Sequence, residues 1–139
     1  NKYVVTNECD RMGFRLDGEV IEHVSGGDII SDGISFGAIQ VPGHGKPIIM
    51  MADRQTTGGY TKIGNIIWVD LCKVAQAKPG DKIGFKKITV EQAHEELERI
   101  EATINEIKKF CINRDIISTR EFKIKVNGQY FDVKVEEVK

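Results

Sequence analysis

Residues 38–51 read Ala38-Ile39-Gln40-Val41-Pro42-Gly43-His44-Gly45-Lys46-Pro47-Ile48-Ile49-Met50-Met51. Two short apolar runs are separated by a Pro-Gly-x-Gly turn, the pattern of two strands joined by a tight connection. Similar β-rich runs recur on either side, at Tyr3–Val5, Glu19–Ile21, Ile66–Val69 and Lys82–Phe85, each bounded by Gly, Pro, Asp or Asn. Thirteen of the fourteen glycines and all three prolines lie before residue 88, and no window there supports a long helix. Many short strands with glycine-rich turns argue for a closed barrel or a sandwich.

Beyond residue 88 the period changes. Val90, Ala93, Leu97, Ile100, Ile104, Ile107 and Cys111 are spaced 3-4-3-4-3-4 with mostly charged residues between them. That spacing predicts a helix of about six turns with a narrow apolar seam. The seam suits packing on the protein's own sheet or pairing with a partner helix. Thr89 and Gln92 have the spacing of a capping box, in which each side chain bonds the other's backbone N–H. Further on, Asn127-Gly128 has the composition of a type I′ turn between two alternating strands. Placing residues whose numbers sum to 255 opposite each other sets Ile124 against Phe131 and Phe122 against Val133. On the other face Lys123 meets Asp132 and Glu121 meets Lys134. Apolar meets apolar and opposite charges meet, so one register is specified. The expected organisation is a barrel domain over 1–88, a helix over 89–111, and a linker with a hairpin over 112–139.

Composition excludes several classes of function. In 139 residues, 20 Lys and Arg stand against 21 Asp and Glu, a formal charge of -1. There is no basic excess to neutralise a phosphate backbone, so no nucleic-acid partner is expected. No apolar run approaches the roughly 20 residues of a membrane helix, so no membrane partner is expected either. Cys9, Cys72 and Cys111 are odd in number and far apart, which fits neither a disulfide framework nor a CxxC site. A reducing, cytoplasmic setting follows as an expectation. His23 and His94 lack a second ligand at metal spacing, so no metal site is expected. The opening Asn1-Lys2-Tyr3-Val4-Val5 has no signal-peptide features and reads as a strand entered partway, as in a piece of something longer.

Four runs are candidates for chemistry. Asp53-Arg54-Gln55-Thr56-Thr57-Gly58-Gly59-Tyr60 follows a strongly apolar run; it reads as a loop at a pocket mouth whose glycine amides approach a ligand, or as an ordinary glycine turn. Gln40 is the one polar side chain in a run that should be buried, and a buried amide must find partners in the protein or in a ligand. Arg11 and Arg15 flank Gly13; a guanidinium suits a carboxylate or phosphate, and equally a surface pair with Asp10, Asp17 or Glu19. Ser31-Asp32-Gly33 reads as a turn. His44 reads as a solvated turn residue. Neither a Walker A loop nor a GxSxG elbow is present.

Taken together, Asp10-Arg11-Met12-Gly13-Phe14-Arg15-Leu16, Ser31-Asp32-Gly33, Gly37-Ala38-Ile39-Gln40-Val41-Pro42 and Asp53–Tyr60 occur in the order and spacing of one family. Over residues 1–97, including Lys78-Pro79-Gly80-Asp81, the chain resembles the C-terminal half of the KipA/PxpC family, also labelled allophanate hydrolase subunit 2. The resemblance implies a mainly β fold with a cyclophilin-like closed β-barrel, here followed by the long helix and the C-terminal hairpin. It implies a role as the PxpC-type subunit of a bacterial ATP-dependent 5-oxoprolinase, an amidohydrolase that opens 5-oxo-L-proline to L-glutamate. The implied partners are KipI-like and LamB/YcsF-like subunits, with ATP used by the complex. Two alternatives share the motifs: a carboxyltransferase-type domain of a urea carboxylase or allophanate pathway, and a non-catalytic module that binds a KipI-like partner.

Carried over residue by residue, the resemblance implies Asp53, Gln40 and Arg11 as catalytic residues and Gln55, Thr57, Gly58, Gly59 and Tyr60 as substrate-binding residues. Asp53 would orient the ring N–H or act as a base if burial raised its pKa. The C-terminal hairpin also resembles the opening of biotinyl carrier domains, but no Met-Lys-Met motif follows, so no biotin attachment is expected. Family members are longer, with a related barrel preceding this region, so the isolated chain is expected to be inactive.

Overall fold

The computed structural model describes residues 2–112 and 116–138. The chain divides into two units, Asn1–Leu97 and Glu98–Lys139. In the first unit seven strands form one antiparallel sheet: β1 (Lys2–Cys9), β2 (Gly13–Asp17), β3 (Asp28–Gly33), β4 (Ala38–Val41), β5 (Ile48–Met50), β6 (Thr57–Asn65) and β7 (Lys82–Gly84). Their order across the sheet is β3-β6-β4-β5-β2-β1-β7. The opening stretch 38–51 thus forms the centre: β4 is buried at all four residues and pairs with β5 through Ile39↔Ile49 and Gln40↔Ile48.

Alternation along β1 and β2 sends Tyr3, Val5, Phe14 and Leu16 to one face, where they meet Ile39, Ile49, Met51 and Val74 in the main core. Fully burying an aliphatic side chain of this size contributes about 1.5–3 kcal/mol. Ala38, Met50 and Ile34 make a smaller cluster with Ile48. Gln40, two residues from Ala38, shares its side of the sheet. Asp10 closes the β1–β2 turn, its Oδ1 accepting from the N–H groups of Met12 at 2.8 Å and Gly13 at 3.1 Å.

The sheet is not closed into a barrel, which corrects the expected closed cyclophilin-like architecture. Its edge strands β3 and β7 each pair with one neighbour only, and closure requires every edge to find a partner. β3 is exposed at all six residues, so it has no alternating inward face to draw it round. Two expected strands differ as well. Glu19–Ile21 lies outside any strand, and the Ile66–Val69 run leads into α1 (Trp68–Ala75), which buries Leu71 and Val74 three residues apart. Over so short a segment an apolar run does not separate a strand from a buried helical turn.

Helix α2 (Val90–Ile112) begins at the expected capping box: the Thr89 N–H donates to Gln92 Oε1 at 3.0 Å and the Gln92 N–H to Thr89 Oγ1 at 3.3 Å. Strands β8 (Ile116–Val126) and β9 (Gln129–Val138) form the hairpin, with all four sequence-read pairs in register. Asn127 (φ 49°) and Gly128 (φ 84°) adopt the positive dihedrals that a type I′ turn demands. The linker expected between helix and hairpin falls at 113–115, outside the described residues. Among the described residues no helix is long and apolar enough to cross a membrane.

Candidate functional site

A cleft of about 740 Å³ opens where β3, β4 and β6 meet the loop preceding β6, lined by Asp28, Ile29, Gln40, Gln55, Thr56, Thr57, Gly58, Gly59 and Tyr60. Six of the eight sequence-read site residues are therefore brought together. Gln40 forms its floor. The side chain is 3% exposed, and its Nε2 is a buried polar atom with no hydrogen-bond partner. An unpaired buried amide costs about 1–3 kcal/mol, and native proteins rarely retain one without a reason.

Gly58 explains how the amide fits. A Cβ at this position would lie 2.7 Å from Ile34 Cδ1 and 3.2 Å from Gln40 Nε2, so the missing side chain leaves room for the ends of both to settle against the β6 backbone. Gly58 and Gly59 belong to β6 and not to a loop, which differs from the sequence reading. Their pairing is one-sided: β3 meets β6 through Asp32↔Gly58, while the β4 ladder runs from Asn65 only as far as Thr61. Gly58–Tyr60 consequently form a ledge beyond the end of β4, beside the cleft. Two adjacent glycines in a strand resemble a turn in sequence, since both settings require a missing side chain.

Arg11 and Asp53 form a separate pair outside the cleft lining. Arg11 Nε donates to Asp53 Oδ2 at 2.6 Å and a terminal nitrogen to Oδ1 at 3.1 Å, while the Asp53 N–H donates to the Arg11 carbonyl at 2.8 Å. Both side chains are open to solvent, at 80% and 49% exposure. The hydrogen bond from Arg11 holds the Asp53 carboxyl below the ordinary carboxylate range. That is opposite to the raised pKa a general base would need. The pair instead ties the turn after β1 to the loop between β5 and β6.

Arg54, which sequence reasoning passed over, anchors the same loop. Its Nε donates to the Ile34 carbonyl at 3.0 Å, one terminal nitrogen to the Met51 carbonyl at 3.3 Å, and its guanidinium lies 5.6 Å from the Phe36 ring centroid. Its place between Asp53 and Gln55 was the only available signal, because its partners are backbone carbonyls and a ring distant in sequence. His44 behaves as a turn residue, its Nδ1 accepting from the Lys46 N–H at 3.1 Å.

The antiparallel sheet presents an unpartnered buried amide at a glycine-walled cleft, a concave setting with a few polar groups of the kind in which small molecules bind. The chain belongs to the family described as carboxyltransferase domain, subdomain A and B, whose model matches residues 1–87. It is 38% identical over 109 residues to the C subunit of 5-oxoprolinase from Haemophilus influenzae, covering 78% of this chain and 35% of that protein. With the Escherichia coli protein of the same name the identity is 38% over 89 residues, covering 64% and 29%. The chain thus matches about a third of the length of these relatives. Among solved structures, the urea carboxylase of Kluyveromyces lactis superposes with a TM-score of 0.70 at 27% identity, covering 76% of this chain and 10% of that one.

Proposed function

We propose that this chain supplies part of the substrate site in the C subunit of a 5-oxoprolinase, with its cleft receiving the lactam amide that the assembled enzyme opens to L-glutamate. One observation carries the reading: the Gln40 Nε2, buried and without a partner, is a donor awaiting an acceptor. A lactam carbonyl oxygen is such an acceptor, and a donor fixed in a low-dielectric floor stabilises the negative charge that develops there when the carbonyl carbon is attacked. The names of the two curated relatives support the choice of substrate. Gln55, Thr57, Gly58, Gly59 and Tyr60 shape the cleft around the ring, and Arg11 with Asp53 fixes the loop that carries Gln55.

ATP enters this reading through the assembly. The cleft does not suit a polyphosphate, because Gly58 and Gly59 run extended within β6 and do not turn into the nest of N–H groups that cradles phosphates. The nucleotide is therefore assigned outside this cleft, within an assembly that has KipI-like and LamB/YcsF-like subunits as partners. A urea-type substrate is the second reading, favoured by the fit to urea carboxylase over 76% of the chain; urea offers Gln40 the same carbonyl acceptor.

The test is ATP-dependent glutamate formation from 5-oxoproline by the full-length protein with both partners, then with each omitted. Product is expected only with all three present, and Gln40→Met is expected to lower kcat/KM about 100-fold, the loss typical of one oxyanion donor. An assembled complex that makes no glutamate would refute the reading and shift the weight to urea with carboxybiotin, or to a purely regulatory role.

A further inference from the structure

Gln40 shares its face of the sheet with a charged neighbour. Lys62 is its Cα partner across β4 and β6, and directly opposed residues of an antiparallel ladder project to the same side. Asp32 stands opposite Gly58 across β3 and β6, and Gly58 is the residue against which the Gln40 amide rests. Lys62 closes the figure, its Nζ donating to Asp32 Oδ2 at 2.6 Å and to the Gly33 carbonyl at 2.8 Å. Its side chain is 21% exposed, so the stem is covered while water still reaches the residue. An ammonium has three donors. Asp32 and Gly33 take two, which leaves the third for an anion arriving beside the Gln40 amide.

We infer that Lys62, which lies outside the cleft lining but opposite Gln40 on the same face of the sheet, is the carboxylate-recognising residue, so that the site selects a small amide bearing an acid group: Gln40 donates to the amide carbonyl and Lys62 to the carboxylate. The inference rests on the proposed lactam substrate, because 5-oxoproline carries both groups. It also deepens that reading, since urea has the carbonyl and no carboxylate. Asp32 acts as the counter-ion that holds Lys62 in place and competes with the ligand. Lys62 is thus a specificity-determining residue, whereas Gln40 discriminates little between amides.

The test compares equilibrium binding of 5-oxo-L-proline and of 2-pyrrolidinone, the same ring without its carboxylate, to the full-length protein in its assembled complex. Wild type is expected to prefer 5-oxoproline. Lys62→Met should weaken 5-oxoproline binding at least about tenfold, as expected for losing a charge-assisted hydrogen bond, and leave 2-pyrrolidinone unchanged. Lys62→Arg should restore the preference. Asp32→Asn should tighten 5-oxoproline binding by freeing the ammonium, whereas a merely structural Lys62–Asp32 pair would make that variant weaker for both ligands. Equal losses for both ligands in Lys62→Met, or none for either, would overturn the inference. Turnover of 5-oxoproline with an unchanged KM in Lys62→Met would overturn it while sparing the proposed function. A wild-type complex that binds neither ligand would overturn both.

Discussion

In the sheet unit Leu16 and Ile49 are buried completely, while in the hairpin the equivalent inward candidates Phe122, Ile124 and Phe131 remain 48, 45 and 47% exposed. Both regions follow the same pairing rules, and the hairpin has the more regular ladder of the two. What differs is the layering. Strands β1, β2, β4 and β5 place their apolar residues against α1 through Val74 and against one another, whereas no residue of β8 or β9 is buried. Register is therefore settled by local pairing and turn geometry, and stability by the second layer that burial supplies.

The largest expected effect that sharpens this contrast is Leu16→Ala, which should destabilise the chain by about 2–5 kcal/mol in urea denaturation, as large-to-small core changes do. A loss below about 1 kcal/mol would show that the main core is far looser than its burial implies. Next is Gly58→Ala, where the new methyl group meets Ile34 Cδ1 at 2.7 Å. It should cost about 1–3 kcal/mol and displace the Gln40 amide, both visible in the thermal midpoint and in the amide's NMR signals. Ile124→Ala should cost under about 1 kcal/mol, the scale of one cross-strand pair, and an effect equal to that of Leu16→Ala would abolish the distinction.

The smallest effect is expected at the Arg11–Asp53 pair. Because Asp53 is held below the ordinary carboxylate range, its stabilising effect is present above that range and is lost as pH falls through the depressed folded value. Arg11→Met should therefore lower global stability only slightly at neutral pH, the pair being exposed, while speeding amide exchange in the loop after β5. That difference should disappear in strong acid and shrink in high salt.

How much of this was legible in the sequence followed from the range of the forces involved. The helix cap at Thr89 and Gln92 and the hairpin around Asn127-Gly128 were read to the residue, because their partners lie three residues apart or directly across a turn. The open sheet was not. Closure depends on whether β3 and β7 find each other, and β3, an exposed edge strand with no alternation, looks like a turn in sequence. At the site, Gln40 stood out because one polar residue interrupts a buried run. The Lys62–Asp32 pair did not, since its meaning arises from register across three strands. The expected grouping of Arg11 and Asp53 with the cleft failed for a similar reason: neighbours in a motif diverged once the loop turned outward.

The most direct test of the account is the stability and ligand binding of Gln40→Met measured side by side. If the Gln40 amide is held unpaired for a ligand, the apolar replacement of similar size should leave unfolding free energy equal or raise it by about 1 kcal/mol, because an unsatisfied donor has been removed. At the same time 5-oxoproline binding by the assembled complex should weaken about 10- to 100-fold. A variant that is destabilised by more than about 2 kcal/mol, or that binds 5-oxoproline as well as wild type, would mean that the amide serves the core and not the cleft, and would contradict the account.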